Sequence, residues 1–348
     1  MPGSGAGTGQ AVAGERAPWR AALKPYMRPR IGRSVVDLLT SVVPYLALSV
    51  AMYLLREVSV LCVLALAVPT AGFLLRTYIM FHDCTHGSFL PSRRANGLLG
   101  AVLGLVVLHP FRSWGHAHAV HHATAGDLDR RGVGDVPTLT VAEYAAMPRH
   151  RRLGYRLFRN PLVMFGLGPI WAMIIQPRLV PRGARRRIRR SVLATNLVLV
   201  LVIGGLCWLM SPLTFLLVWA PPALLAGSAG VFLFYVQHQF EDTYWQNSEG
   251  WSYADAALRG SSHLRLPQPL QFFTGNIGLH HVHHLSAKIP NYNLQRAHDE
   301  NPIFHDVPTL SLWDGLRASR LKLWDADHGR LLTFAEARGA VAAHGHLA

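Results

Sequence analysis

His280-His281-Val282-His283-His284 sets four imidazoles in five residues. Wound as a helix, His280, His283 and His284 stand at i, i+3 and i+4 and share one face, while His281 points elsewhere. Three imidazoles aimed at one point make half of a metal site, because neutral imidazole suits iron, zinc, copper or nickel. A lone histidine is more often a satisfied structural residue. A cluster this dense would repel itself on protonation if no metal held it. Two similar stretches lie upstream. His118-Ala119-Val120-His121-His122 repeats the i, i+3, i+4 geometry, and His82-Asp83-Cys84-Thr85-His86 gives i, i+4. The three boxes together hold eight facing imidazoles, too many for one mononuclear site, so the count points to two metals.

The chain has 348 residues, of which 50% are hydrophobic and only 15% charged. A typical soluble protein carries about 25% charged residues. With a positive mean hydropathy of +0.20, the composition describes a polytopic membrane protein with substantial water-facing parts. Lys and Arg outnumber Asp and Glu by 34 to 19, a net +15. No nucleic-acid-binding motif carries these charges, so no nucleic-acid partner is expected. Basic cytoplasmic segments set membrane topology and meet anionic lipid, and a basic face attracts an acidic redox partner. The three cysteines, Cys62, Cys84 and Cys207, are scattered and imply no disulfide framework. Cys84, inside the first box, offers a thiolate ligand as one reading and a buried small residue as the better one.

Residues 1–18 are rich in Gly, Ala and Ser and are expected to be disordered, with no secretory signal. Residues 35–55 are apolar apart from Asp37, and 58–80 are interrupted only by Arg76. Each run is about twenty residues, or ~30 Å of helix, which matches a bilayer core. Arg56 and Glu57 mark the gap, so a tight helical hairpin is expected. Residues 96–108 and 161–175 are apolar but too short to cross and are read as interfacial helices. Residues 126–160 are polar and read as water-facing; the acidic loop Asp127 to Asp135 lies either against the metals or in solvent. Six Arg fall within 182–190, directly before the apolar run 192–210. Span 213–236 follows, and Pro221-Pro222 is expected to break or kink it.

The expected fold is therefore an all-α integral membrane protein. Four transmembrane helices form two hairpins, joined by interfacial helices and a cytoplasmic cap carrying a di-metal histidine site. The arginine run fixes the start of the third span in the cytoplasm. Every box and both termini then fall on that side. His238, just past the fourth span, is a ninth imidazole at the same depth, with an ordinary interfacial histidine as the alternative. Asn291-Tyr292-Asn293-Leu294 and the Trp313 region are expected to pack beneath the last box. The main domain is expected over 19–330 and a tail over 331–348.

An all-imidazole pair at a membrane surface suits iron that binds dioxygen and cycles its oxidation state. Taking a hydrogen atom from a strong C–H bond demands a dry, shaped cavity, and apolar helices beneath the site supply one that an acyl chain can enter from the bilayer. His82-x-x-x-His86, His118-x-x-His121-His122 and His280-x-x-His283-His284, with two helical hairpins in these positions, resemble the membrane fatty-acid desaturase family. The segments around the first and last boxes are similar to bacterial acyl-lipid desaturases of the omega-6/delta-12 type. The resemblance covers residues 35–293 and implies two irons, O2 as co-substrate, two external electrons and a cis double bond as product. The implied metal ligands are His82, His86, His118, His121, His122, His280, His283 and His284, with His238 resembling an extra ligand. Asp83 and Asn276 are expected to orient ligands from behind. The substrate would be a fatty-acyl chain on a lipid, CoA or carrier, in the plasma membrane of a bacterium. No segment resembles a cytochrome b5-like haem site, so a separate donor is implied, ferredoxin with its reductase.

The nearest rival is a hydroxylase, ketolase or epoxidase of a lipid, alkane or carotenoid on the same scaffold. A desaturase for a specialised metabolite is another. A metal transporter would carry histidines and carboxylates within its spans near mid-bilayer, and here the spans hold none of the box histidines. A haem carrier needs isolated axial pairs. A zinc protease wants His-Glu-x-x-His, and the first box lacks that Glu.

Overall fold

The computed structural model describes residues 18–339 and 341. The segment expected to be disordered lies outside them except for Pro18. A short helix α1 (Pro18–Leu23) leads to α2 (Ile31–Leu55) and α3 (Val60–His86). Next come α4 (Arg93–Val106), α5 (Phe111–Thr124), strand β1 (Leu139–Thr140), α6 (Val141–Ala146) and α7 (Arg149–Phe158). The two longest later helices are α8 (Arg186–Met210) and α9 (Pro212–Val236). Helices α2, α3, α8 and α9 have mean hydropathies of 1.9, 1.9, 2.4 and 1.8 and are long enough to cross a membrane. The protein is thus mainly helical, with four candidate spans.

Helix α3 is the spine, packed against α2, α4, α5 and α9. It runs on through the first box, so His82 and His86 ride on the spanning helix itself and not on a separate segment after it. Gly87, at φ +64°, stops it, a conformation that favours glycine. Helix α9 runs on through Pro221 and Pro222, so of the break or kink expected there the break does not occur. An apolar surrounding penalises exposed backbone, so the helix tolerates two missing donors more easily than an open turn.

Helices α4 and α5 meet at a 101° bend. Gly104 permits the approach, since a Cβ there would stand 2.4 Å from the His109 carbonyl oxygen. Leu108, at φ 58°, turns the chain between them. The segment after α7 is wound as π-helix over Val163–Leu167 and Ile170–Ile175. Helix α7 departs from the uniformly polar reading of its region. Leu153, Leu157 and Phe158 are exposed on the face opposite Arg152, Tyr155 and Arg159.

The remaining chain builds a cap from α10 (Tyr253–Leu258), β2 (His263–Arg265), α11 (Gln268–Phe273), α12 (His280–Leu285) and α13 (Asn291–Asp299). It ends with β3 (Thr309–Ser311), α14 (Leu312–Ala318), β4 (Leu323–Asp325) and β5 (Arg330–Leu332). Strand β4 pairs parallel with β1 and antiparallel with β5, and β2 pairs parallel with β3. The all-α expectation missed these strands because two or three residues are too short to write an alternating pattern. The segment read as a tail begins inside β5: Leu331, Leu332 and Ala337 are buried. Trp313, expected beneath the last box, is exposed.

Two charges inside the spans find each other. Arg76 on α3 pairs with Asp37 on α2, donates to Ser41 Oγ at 3.0 Å and to the Phe272 carbonyl, and stacks over the Phe272 ring. Asp37 Oδ2 also accepts from Asn291 Nδ2 at 3.0 Å. Removing one partner of such a buried pair strands the other charge, at a cost of about 3–5 kcal/mol. Asp37→Leu or Arg76→Met alone should therefore lower the thermal midpoint of the detergent-purified protein strongly. The double variant should recover part of the loss, and single variants that melt like the wild type would remove the pair from this role.

Candidate metal centre

The ring nitrogens of nine histidines converge into two groups. His82 and His86 from α3, His118 and His122 from α5, and His283 from α12 form one, with donor atoms all within 4.8 Å of one another. His121 from α5, His238 after α9, and His280 and His284 from α12 form the other on the same criterion. Boxes two and three therefore each serve both groups. Within α5, His118 and His122 turn to one group while His121 turns to the other. Cys84 is buried but joins neither.

Spacing tests whether a metal fits. His118 and His122 approach at 3.1 Å between Nε2 atoms, and His122 and His283 at 3.0 Å. In the other group His121–His238 and His238–His280 stand at 3.2 and 3.0 Å. Ligands about 2.1 Å from a metal and about 90–109° apart would sit roughly 3.0–3.4 Å from each other. Buried His86 Nε2 and His284 Nε2 have no hydrogen-bond partner at all. The donor set fits two metal ions.

Hydrogen bonds behind the rings select the tautomers. His238 Nδ1 donates to the Gly260 carbonyl at 2.9 Å, which leaves its Nε2 lone pair facing the group. His121 Nδ1 rests on Asp135 Oδ1 at 2.5 Å, and His82 Nδ1 on Asp83 Oδ1 at 3.2 Å. Such carboxylate partners fix ring orientation and raise ligand basicity. Asp83 Oδ2 accepts from both the backbone and the side-chain nitrogen of Asn291, at 2.8 and 3.0 Å. Asn276 donates to the Asn291 carbonyl at 3.1 Å and so sits behind Asn291, one step further back from the histidines than expected. Asp135 was legible only as part of an acidic loop; its contact with His121 spans fourteen residues that carry no periodic signal. His281 faces away, bonded through Nε2 to His298 at 3.0 Å, and His116 is exposed.

Trp114 was not anticipated. Its indole stacks on the His118 ring at 4.4 Å and 28°, and meets Tyr78 edge-on at 5.7 Å. Tyr78 in turn lines a narrow apolar cavity with Leu74, Leu75, Val107, Trp219 and Ala223. An aromatic wall thus separates an apolar cavity among the spans from the five-histidine group.

The chain matches the family model described as fatty acid desaturase over residues 57–310. It is 44% identical over 327 residues to a protein of Bacillus subtilis (strain 168) named fatty acid desaturase, covering 94% of this chain and 93% of that one. The chain belongs to the fatty acid desaturase family. An sn-1 oleoyl-lipid 12-desaturase of Synechocystis is 27% identical over 230 residues, covering 66% of this chain and 65% of that protein. A chloroplastic omega-6 fatty acid desaturase of Arabidopsis thaliana is 24% identical over 240 residues, 64% of this chain and 49% of its own length. Desaturase names among the relatives favour double-bond formation over the hydroxylase, ketolase and epoxidase readings. The chain is accordingly a membrane fatty acid desaturase, an oxidoreductase of lipid metabolism.

Burial, and after it the neighbouring imidazoles, hold His280, His283 and His284 well below the ordinary histidine range. Burial and His121 depress His238 to about 3. In the unfolded chain these rings titrate near 6.5. Below that pH the unfolded state takes up protons that the folded state refuses, so stability falls as pH drops. Chelator-stripped desaturase should melt at a lower temperature at pH 5.5 than at pH 7.5. Equal or higher melting at pH 5.5 would contradict the depressed pKa values.

Proposed function

We propose that the two histidine groups hold two iron ions and that the enzyme uses O2 and two external electrons to insert a cis double bond into a fatty-acyl chain. The observation that carries this reading is the pair of imidazole groups, five and four strong, set at the end of apolar spans beside an apolar cavity. His82, His86, His118, His122 and His283 would hold one iron; His121, His238, His280 and His284 would hold the other. Bound there, the iron pair would supply the redox chemistry that activates O2 for hydrogen abstraction.

The chain's own residues do the rest. Asp83, Asp135 and the Gly260 carbonyl keep three rings in the tautomer that presents Nε2. The box histidines other than His86 are themselves buried, which keeps bulk water from the reacting carbons. The apolar cavity holds the acyl chain, with Tyr78 and Trp114 between it and the five-histidine group. The two span pairs act as hairpins that return every box to the cytoplasmic side, since the arginines of 182–190 precede α8. Electrons come from a separate protein, ferredoxin with its reductase, and the net charge of +15 favours an acidic donor. The acyl chain is lipid-linked, as the name of the Synechocystis relative states for that protein.

Acyl-chain profiling by mass spectrometry in a desaturase-free host checks this, with ferredoxin and reductase co-expressed. New double bonds should appear with the wild type and vanish with His283→Ala, which should still insert into the membrane. Hydroxylated chains, or double bonds that survive His283→Ala, would overturn the reading.

A further inference from the structure

Among the described residues, two buried side-chain atoms that find no hydrogen-bond partner belong to residues lining one small pocket, Asp135 Oδ2 and Trp245 Nε1. Trp245 is 6% exposed, and the Asp135 side chain 9%. His121 and His238 of the four-histidine group line the same pocket, with Val136 and Tyr244 as further walls. It shares no lining residue with the apolar cavity among the spans. The two histidine groups therefore have different approaches. An aromatic wall stands between the apolar cavity and the five-histidine group, whereas a carboxylate and an indole N–H flank the other.

The local backbone builds this place. The Gln246 N–H donates to the Gly126 carbonyl at 2.9 Å, and the Leu128 N–H to the Gln246 carbonyl at 2.9 Å. These bonds clamp the segment after α5 to the segment after α9. Gly126 stands at φ +76°, and a Cβ there would lie 2.8 Å from the Tyr244 carbonyl oxygen, so the close approach requires glycine. Both walls lead straight to the surface, since residues 132–134 before Asp135 and 246–250 after Trp245 are exposed.

The two unpaired atoms decide what the pocket can hold. An acyl chain would leave both of them unpaired and desolvated. An anion would meet the carboxylate, and an indole N–H only donates, so it offers nothing to a metal ion. Water both donates and accepts, and the pocket has room for about one molecule.

We propose that this pocket is a water site joining bulk solvent to the four-histidine group, through which the protons consumed by the reaction enter and the water it forms leaves. The inference rests on the desaturase reading. Two hydrogens from the acyl chain, O2, two electrons and two protons give one double bond and two waters. Protons must arrive and water must leave, while the reacting carbons need a dry surrounding. A polar pocket at one histidine group and an apolar cavity near the other meet both demands. Asp135 and Trp245 are positioning residues for that water.

Hydroxyl-radical footprinting with pulsed X-rays in oxygen-18 water tests this on the full-length, chelator-stripped protein in detergent, because the radicals form where water is bound. Neither metal nor turnover is needed, so a failure of double-bond formation would strike the desaturase reading and leave this measurement standing. Tyr244 should take up solvent oxygen in the wild type, whereas Tyr235, buried outside the pocket, should not. Trp245→Phe removes the N–H but keeps an aromatic ring, and should lower the Tyr244 label about fivefold, the loss of one hydrogen bond to water. Val136→Phe, which fills the pocket from the loop, should lower it at least as far. In the iron-loaded enzyme both variants should show a larger ratio of turnover in H2O to turnover in D2O than the wild type, at unchanged KM for the acyl substrate. An unlabelled Tyr244 in the wild type, or a label undiminished in both variants, would overturn the water site. An isotope effect unchanged in both variants would overturn its part in proton supply.

Discussion

Nine imidazoles packed against one another are the constraint to which the rest of the structure answers. With ring nitrogens 3.0–3.2 Å apart, the rings cannot all be protonated, and lone pairs aimed at a common point repel. A metal turns that repulsion into coordination. Rings held ready in this way would spare a bound metal the cost of ordering them. Helix geometry supplies the first part. In α5, residues four apart point to one group and the residue between them, His121, to the other, so a single helix ties both groups together. Helix α12 does the same with His283 against His280 and His284.

A continuous run of polar contacts anchors these rings to the spans. Arg76 pairs with Asp37, Asp37 accepts from Asn291, Asn291 donates to Asp83, and Asp83 supports His82. Three separate helices meet in it: α2, α13 and α3, which carries both Arg76 and the first box. Burying polar groups costs free energy unless they are paired, and here each member bonds the next. At the other group, Arg159 ties α7 and the cap to the end of α9, with Gln239 next to His238 among its acceptors. Position is thus imposed on the two groups by separate polar networks.

Much of this was legible in the sequence because it is periodic. The box histidines obey i, i+3, i+4, and the spans are long apolar runs, so both could be read from local order. His238 was legible from its depth below a span. What could not be read depends on contacts between distant residues. Asp135 reaches His121, Trp114 covers His118, and Asn291 joins Asp37 to Asp83 across more than two hundred residues. Asp37 and Arg76 stood out as charges in apolar runs, yet nothing local said that they pair. The short strands and the buried Leu331 and Leu332 escaped for the same reason, since two or three residues carry no pattern. At Pro221-Pro222 a break was one of two expected outcomes, and it does not occur, because the apolar surroundings outweigh a local preference for ending the helix.

The imidazoles fall into two groups, five and four strong. Metal content per chain, measured by mass spectrometry on protein purified from iron-supplied cells, tests most directly whether each group binds a metal. The wild type should carry about two irons per chain. One of them should be lost selectively when either His86, exclusive to the first group, or His238, exclusive to the second, is changed to Ala. One metal per chain in the wild type, or full metal content in both variants, would contradict binding at both groups.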